Sequence, residues 1–494
     1  MKGSVLFVLS VILVLFLSQC GKKKKENIIT TKEAAAKVEI PKVSWEKSIA
    51  IFPFSGEQKA SGKRGLETVI TEGITSMLSK SKRVKILSFP SEEWIDSKRI
   101  TADYILSGKF EKENGFINAS FRLVDTQKNL EIWNTVYKKE FQFLSDIIQR
   151  ASREISGVLG LKIDKMGVSD NKSVSLNVMK LYIDGKSHLL AGTRAEIDLA
   201  IQSFKRVLRI DSTFTPGYVG LAKSYLEIVK NRWNSNIVWL KLSQGASLKA
   251  VQLDSNSADA HLVLGETYLL WGDFKKAEKE FRKVLRINPN LPEAWAELGK
   301  IFIHYGLYEP GLEVYEKALS LNAGNVSISL SKAMVLTGLK KYSEAEEEIK
   351  KILLLQPDSL YCHSFLALLC YYQGNYKEAL KEVKKGMKSE KYQPFSHAVL
   401  AMIYAREEKS DLALEEVELN VKPYVRNNGS LATAVAAVYA LLKRNGQAVQ
   451  WLKKAVSFGY KEYPWIINDP NFESLYHDNR FIDIMKKMKA EWEK

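Results

Sequence analysis

The chain has 494 residues, 46% of them apolar and 26% charged, and a formal net charge of +16. That length exceeds what one hydrophobic core organises and implies two or three domains, while twelve prolines and three cysteines exclude a collagen-like or disulfide-rich class. The basic surplus is spread along both halves, whereas a nucleic-acid site gathers it on one face, so no nucleic-acid partner is expected.

Lys2 precedes an apolar stretch from Val5 to Leu17, interrupted only by Ser10. It is short for a bilayer span but suits the apolar core of a signal peptide. It ends in Leu17-Ser18-Gln19-Cys20, which resembles the lipobox of bacterial lipoproteins, although Gln19 stands where Gly, Ala or Ser is usual. The resemblance implies removal of residues 1–19 and lipidation of Cys20, anchoring the chain to the inner or outer membrane of a bacterial envelope. The run Lys22–Lys25 keeps a second reading open, because a basic cluster after an apolar segment opposes its translocation. In that reading the N-terminus is an uncleaved anchor and the chain faces the cytoplasm. Residues 20–45 lack a packed pattern and read as a flexible tether.

From residue 46 to 165 the pattern is α/β. Ser48–Phe54 is a short apolar strand, followed by a helix carrying Leu66, Val69, Ile70, Ile74, Met77 and Leu78 on one face, then a strand at Val84–Leu87. Ala102–Phe110 and Phe116–Val124 flank Asn114-Gly115, a strong hairpin signal. In the latter strand Ile117, Ala119, Phe121 and Leu123 alternate with polar residues, which predicts one buried face. Leu130–Lys139 is the last strand, and the helix Leu144–Leu161 closes an α/β sandwich with one helical layer on a mixed sheet. Lys47–Phe54, Ala102–Gly108, Arg122–Asp125, Ile132-Trp133 and Tyr137 resemble the TolB amino-terminal-like domain found ahead of tetratricopeptide arrays. The loop Gly56–Arg64 is no phosphate cradle: its glycines are one residue too far apart for a P-loop and Arg64 replaces the required hydroxyl.

Residues 178–462 carry a 34-residue period. Small residues recur at Gly265, Gly299, Ala333, Ala367 and Ala401, and again at Ala277, Gly311, Ala345, Ala379 and Ala413. The period marks stacked helical hairpins. Trp295, Leu298, Gly299, Phe302, Gly311, Tyr315 and Ala318 in one unit resemble the tetratricopeptide repeat. About eight hairpins are expected, beginning near residues 181, 215, 258, 292, 326, 360, 394 and 429, the second with a nine-residue insertion near residues 231–240. The whole chain is therefore expected to be an α/β sandwich followed by an all-α tetratricopeptide superhelix. Residues 463–494, including Trp465 and Phe481, are expected to cap the last hydrophobic face.

No catalytic constellation, metal motif or cofactor motif stands out. His261, His363 and His397 share one repeat position with Trp295, which marks them as packing residues. Cys362 and Cys370, about 12 Å apart along one helix, read as small core residues. The chain is expected to be no enzyme and to take no small-molecule substrate. In arrays of this kind the first helices line the inner face. The positions implied here include Lys300, Met334, Tyr361, Leu368, Tyr371 and Tyr372, an apolar and aromatic face with Lys300 and Arg406 as its few cations. Such a face suits a protein or peptide segment and lacks the basic cluster of a carboxylate clamp. The combined expectation is a membrane-anchored lipoprotein adaptor, mature domain in the periplasm. The alternative is a cytoplasm-facing signalling or transcription-linked regulator.

Overall fold

The computed structural model describes residues 40–56, 65–79, 81, 83–88, 102–113, 115–140, 143–161, 175–231, 233, 236–357, 359–388, 393–425, 428–460 and 462–492. The apolar N-terminal segment, Cys20, most of the tether and residues 57–64 lie outside them. The chain divides into two compact units, one of residues 40–298 with 317–325, the other of residues 299–316 with 326 onward.

The first unit opens with β1 (Lys47–Ile51), β2 (Ser55–Gly56), α1 (Gly65–Ser79), β3 (Val84–Ser88), β4 (Tyr104–Glu113), β5 (Phe116–Asp125), β6 (Leu130–Glu140) and α2 (Leu144–Val158). The sheet order is β3-β1-β4-β5-β6, with β2 beside β4. β1 runs parallel to β3 and β4, and β4, β5 and β6 form an antiparallel meander. The alternation in β5 puts Ile117, Ala119, Phe121 and Leu123 in the core, as the period of two requires. Helix α1 adds Ile70, Ile74 and Leu78, and α2 adds Leu144, Ile147, Ala151 and Ile155, to this same core. The turn into β6 is set by Asp125, whose Oδ1 accepts the amides of Gln127 and Lys128.

Hairpins follow: α3 (Leu176–Ala191) with α4 (Arg194–Ile210), α5 (Thr215–Lys230) with α6 (Val238–Leu253), α7 (Ala258–Trp271) with α8 (Phe274–Ile287), and then α9 (Pro292–His304) with α10 (Tyr308–Leu321). In the second hairpin both helices are 16 residues long, against 14 in the third, and residues 231–237 connect them. The loop after α8 returns to the sheet. Asn290 Oδ1 accepts the Ile86 amide at 3.0 Å and its Nδ2 donates to the Val84 carbonyl at 2.9 Å, so a side-chain carboxamide pairs with the outer edge of β3.

The second unit continues with α11 (Val326–Gly338) and α12 (Tyr342–Leu355), α13 (Leu360–Tyr372) and α14 (Tyr376–Gly386), then α15 (Gln393–Arg406). The partner of α15 is α16 (Ser410–Glu415), which runs through a π-helical turn, Glu416–Val421, into Lys422–Val425. Helices α17 (Gly429–Leu441) and α18 (Asn445–Ser457) complete the series, and α19 (Tyr463–Ile466), a 3₁₀ turn (Pro470–Leu475) and α20 (Asn479–Trp492) end the chain. The chain is an α/β sandwich followed by an all-α solenoid.

The 34-residue ladder has a steric cause. A Cβ on Gly265 would lie 2.6 Å from the Phe281 ring, and one on Gly299 would lie 2.7 Å from the Tyr315 ring. Sixteen residues after Ala333, Ala367 and Ala401, by contrast, stand the smaller Ile349, Val383 and Val417, all fully buried. Glycine faces an aromatic ring where alanine is matched with a β-branched side chain, which keeps volume constant from hairpin to hairpin.

The shared histidine position is equally regular. The Nδ1 atoms of His261, His363 and His397 lie 2.5, 2.6 and 2.5 Å from carboxylate oxygens of Glu280, Glu382 and Glu416, each 19 residues later. The Nε2 atoms of His261 and His363 face the carbonyls of Ser255 and Pro357, six residues back. Trp295 donates its Nε1 to the Pro289 carbonyl, also six residues back, at 2.8 Å. These residues pack, but they also act as staples: His261 and His363 to the preceding turn and the second helix, His397 to the second helix, and Trp295 to the preceding turn.

Candidate functional site

The first-helix faces of the two units differ. In the first unit the positions expected to line the face carry Lys223, Glu227, Asp259, Glu266 and Glu293. Lys230 Nζ lies 2.6 Å from Glu266 and 3.7 Å from Glu227, and Lys223 Nζ lies 3.7 Å from Asp259. Beside Leu262, Leu269 and Leu270, the same positions in this unit thus carry more carboxylates than lysines.

In the second unit the face is aromatic and already covered. Met334, Tyr361, Leu368 and Tyr371 are buried, at 1–3% exposure, and Lys300 and Tyr372 are half-buried. Tyr361 stacks on Phe395 with ring centroids 6.4 Å apart, and Tyr372 stacks on Tyr342 at 6.2 Å. Helices α13 and α15 thus hold these rings against neighbouring hairpins, so Tyr361 and Leu368 offer packing surface.

At the Tyr371 end of α13 the C-terminal segment adds to this cover. Asn471, in the 3₁₀ turn, is 1% exposed. Its Oδ1 accepts the Tyr371 hydroxyl at 2.6 Å and Arg406 Nη2 at 3.2 Å. Its Nδ2 donates to the Tyr372 hydroxyl at 3.3 Å and points at Met402 Sδ at 3.9 Å. Arg406 Nε completes the triangle by donating to the Tyr371 hydroxyl at 3.2 Å. Burial pushes the hydroxyls of Tyr371 and Tyr372 well up, which keeps both protonated, Tyr371 as the donor to Asn471 and Tyr372 as the acceptor from it.

The segment also reaches further back. Glu462 lies 3.4 Å from His304 Nδ1, Trp492 donates its Nε1 to the His304 carbonyl at 2.6 Å, and Pro464 packs against Gly306. On the other side Ser474 donates to the Ala440 carbonyl, and Asn445 donates to the Ser474 carbonyl. The residues contacted lie at or just past the C-terminal ends of first helices. Trp465, Ile466, Phe472 and Leu475 supply the apolar anchors, all at 0–1% exposure. Expected as a terminal cap, the segment packs on α17 and also lies across the face that the sequence assigns to a partner. Asn471, His304 and Trp492 thus join Arg406 at the candidate face. The only sequence signal for this is the density of apolar and turn residues in Tyr463–Phe472.

Within the segment, Asp469 is 0% exposed. Its Oδ1 accepts the Asn471 amide at 2.9 Å, while no donor among the described residues reaches Oδ2. Burial therefore holds this carboxyl well above the usual range, against the pull of that amide and of Arg406.

Among the described residues no cluster of three or more His, Cys, Asp or Glu could hold a metal ion, and no helix is long and apolar enough to cross a membrane. Burial raises the thiols of Cys362 and Cys370 to about 11, so both are inert core groups.

The family model of the tetratricopeptide repeat matches residues 258–291 and 292–325. These two hairpins are tetratricopeptide repeats. No curated protein matches the chain. Among solved structures, YrrB, described as a TPR protein with an unusual peptide-binding site, is 19% identical, covering 44% of this chain and all of its own, with a TM-score of 0.31. A tetratricopeptide repeat protein from Parabacteroides merdae is 15% identical over 64% of this chain and all of its own, with a TM-score of 0.36. Pseudomonas aeruginosa pilF is 17% identical over 44% of this chain and 96% of its own, with a TM-score of 0.37. Tetratricopeptide arrays are protein–protein interaction scaffolds, typically without catalysis, and their partners are proteins or peptides.

Proposed function

We propose that this chain is a bacterial lipoprotein adaptor that holds a protein partner on its tetratricopeptide array and performs no chemistry. The observation that carries the reading is the array itself, with its preformed run of first-helix faces. The lipobox-like Leu17-Ser18-Gln19-Cys20 supports an anchor at Cys20, and the tether that follows would let the array stand off the membrane. The two faces suit different segments, a basic one for the carboxylate-rich first unit and an apolar, aromatic one for the second.

Two experiments test this. Radiolabelled palmitate should enter the wild-type chain, and Cys20→Ala should lose the label and leave the membrane fraction; an unchanged Cys20→Ala form overturns the anchor. A photo-crosslinker at Lys300 or Tyr372 should capture one partner from detergent-solubilised envelope, whereas capture only at positions in the α/β domain overturns the array as binding site. The run Lys22–Lys25 favours the second reading, a cytoplasm-facing regulator. An alkaline-phosphatase fusion after Lys42 is active under the first reading and silent under the second.

A further inference from the structure

We propose that the face formed by α13 and α15 is a peptide-docking surface whose resident occupant is the chain's own Tyr463–Leu475 segment, exchangeable for a partner segment of the same chemistry. The inference rests on the adaptor reading and adds what the face selects and how it is kept closed.

The resident defines the ligand. It presents a carboxamide, Asn471, whose oxygen takes two donors from the face and whose nitrogen gives to Tyr372. The same segment buries Trp465, Ile466, Phe472 and Leu475, with Phe472 6.2 Å from the Phe481 ring. A matching partner is a short segment with aromatic and aliphatic anchors around one Asn. Its recognition needs no terminal carboxylate, because Arg406 is already directed at the carboxamide oxygen.

Three observations make the resident exchangeable. Its backbone is a four-residue helix and a six-residue 3₁₀ turn, elements too short to hold themselves together. It buries a carboxyl with one oxygen unpartnered among the described residues, a cost that an incoming segment without an acid at that place does not carry. And it is covalently attached, so its local concentration is on the order of millimolar, enough to keep a weak ligand seated. A free partner of higher intrinsic affinity can therefore displace it.

The test uses the full chain and a fluorescent peptide spanning residues 462–476. The wild type should bind the peptide weakly, and full-length Asn471→Ala, which loosens the resident, should bind it about tenfold more tightly or better. Adding Arg406→Ala to that variant should abolish the gain, and a peptide carrying Asn471→Ala should not bind. Hydrogen exchange on the wild type guards against a variant that fails to fold: amides of residues 463–475 should exchange faster than those of α17. Exchange in step with α17, or no peptide binding by a folded Asn471→Ala chain, overturns the proposal. So does a concentration-dependent dimer in which two copies trade the segment, since the occupant is then a second copy. If the peptide exchanges but the crosslinker captures no partner, only the adaptor reading fails. If a partner is captured while the peptide never enters, only this inference fails.

Discussion

The hydroxyl of Tyr371 donates to Oδ1 of Asn471 at 2.6 Å, joining residues 100 positions apart. The contact ties the Tyr463–Leu475 segment to the end of α13, and it is the centre of a four-residue polar knot with Arg406 and Tyr372.

Tyr371→Phe removes the donor to Asn471 and the acceptor for Arg406 while keeping the ring. It should cost about 1–3 kcal/mol, the range for breaking a buried hydrogen bond and stranding its partner. Urea unfolding measures the loss. Hydrogen exchange should localise it to residues 463–475 and leave α3 to α6 unchanged.

Asp469 makes stability fall with rising pH. Its folded-state carboxyl is raised well above 3.8, chiefly by burial, so its contribution is complete below the unfolded value and is lost as pH climbs through the folded one. Asp469→Asn keeps the turn-capping oxygen and cannot ionise. The variant should melt higher than the wild type at pH 8, and the two should converge towards pH 4. A constant offset at all pH values would show that ionisation is not the cause.

The His–Glu staples work in the opposite direction. Burial alone would raise the carboxyls of Glu382 and Glu416, but Lys385 and His363 on the first, and His397 and Asn420 on the second, hold both below 4.5. Their contribution is present above that value and is lost as pH falls through the lower folded value. Glu382→Gln should therefore cost about 1–2 kcal/mol near neutrality and flatten the acid limb of the stability curve, read by chemical denaturation across pH 3 to 7.

Gly265→Ala should cost about 1–3 kcal/mol, because the new methyl meets the Phe281 ring at 2.6 Å in a close-packed interior. Adding Phe281→Val copies the pairing of Ala367 with Val383 and should recover part of the loss. A double-mutant cycle reads the coupling, and strictly additive costs would break the volume-matching account.

Much of this architecture is legible along the chain because its causes are periodic. The β5 alternation and the spacing of Gly265 and Gly299 repeat at intervals that a sequence displays directly. The role of Asn471 does not repeat: a single carboxamide in a turn carries no trace of Tyr371 a hundred residues earlier. His363 reads correctly as a packed residue, yet its tie to Glu382 emerges only when positions 19 apart are compared between hairpins. The carboxylates Asp259 and Glu266 are interleaved along the chain with Leu262, Leu269 and Leu270, so the apolar pattern masks them.

Asn290 supplies β3 with the two hydrogen-bonding groups that a neighbouring strand would otherwise offer. An unpaired strand edge is a template for self-assembly, and this edge of the sheet is met by a residue more than two hundred positions downstream. A nascent chain that has emerged only as far as residue 160 exposes that template until the third hairpin arrives. The same holds for any fragment that ends before residue 290, where the expected failure is association of sheets edge to edge while the sheet itself stays folded.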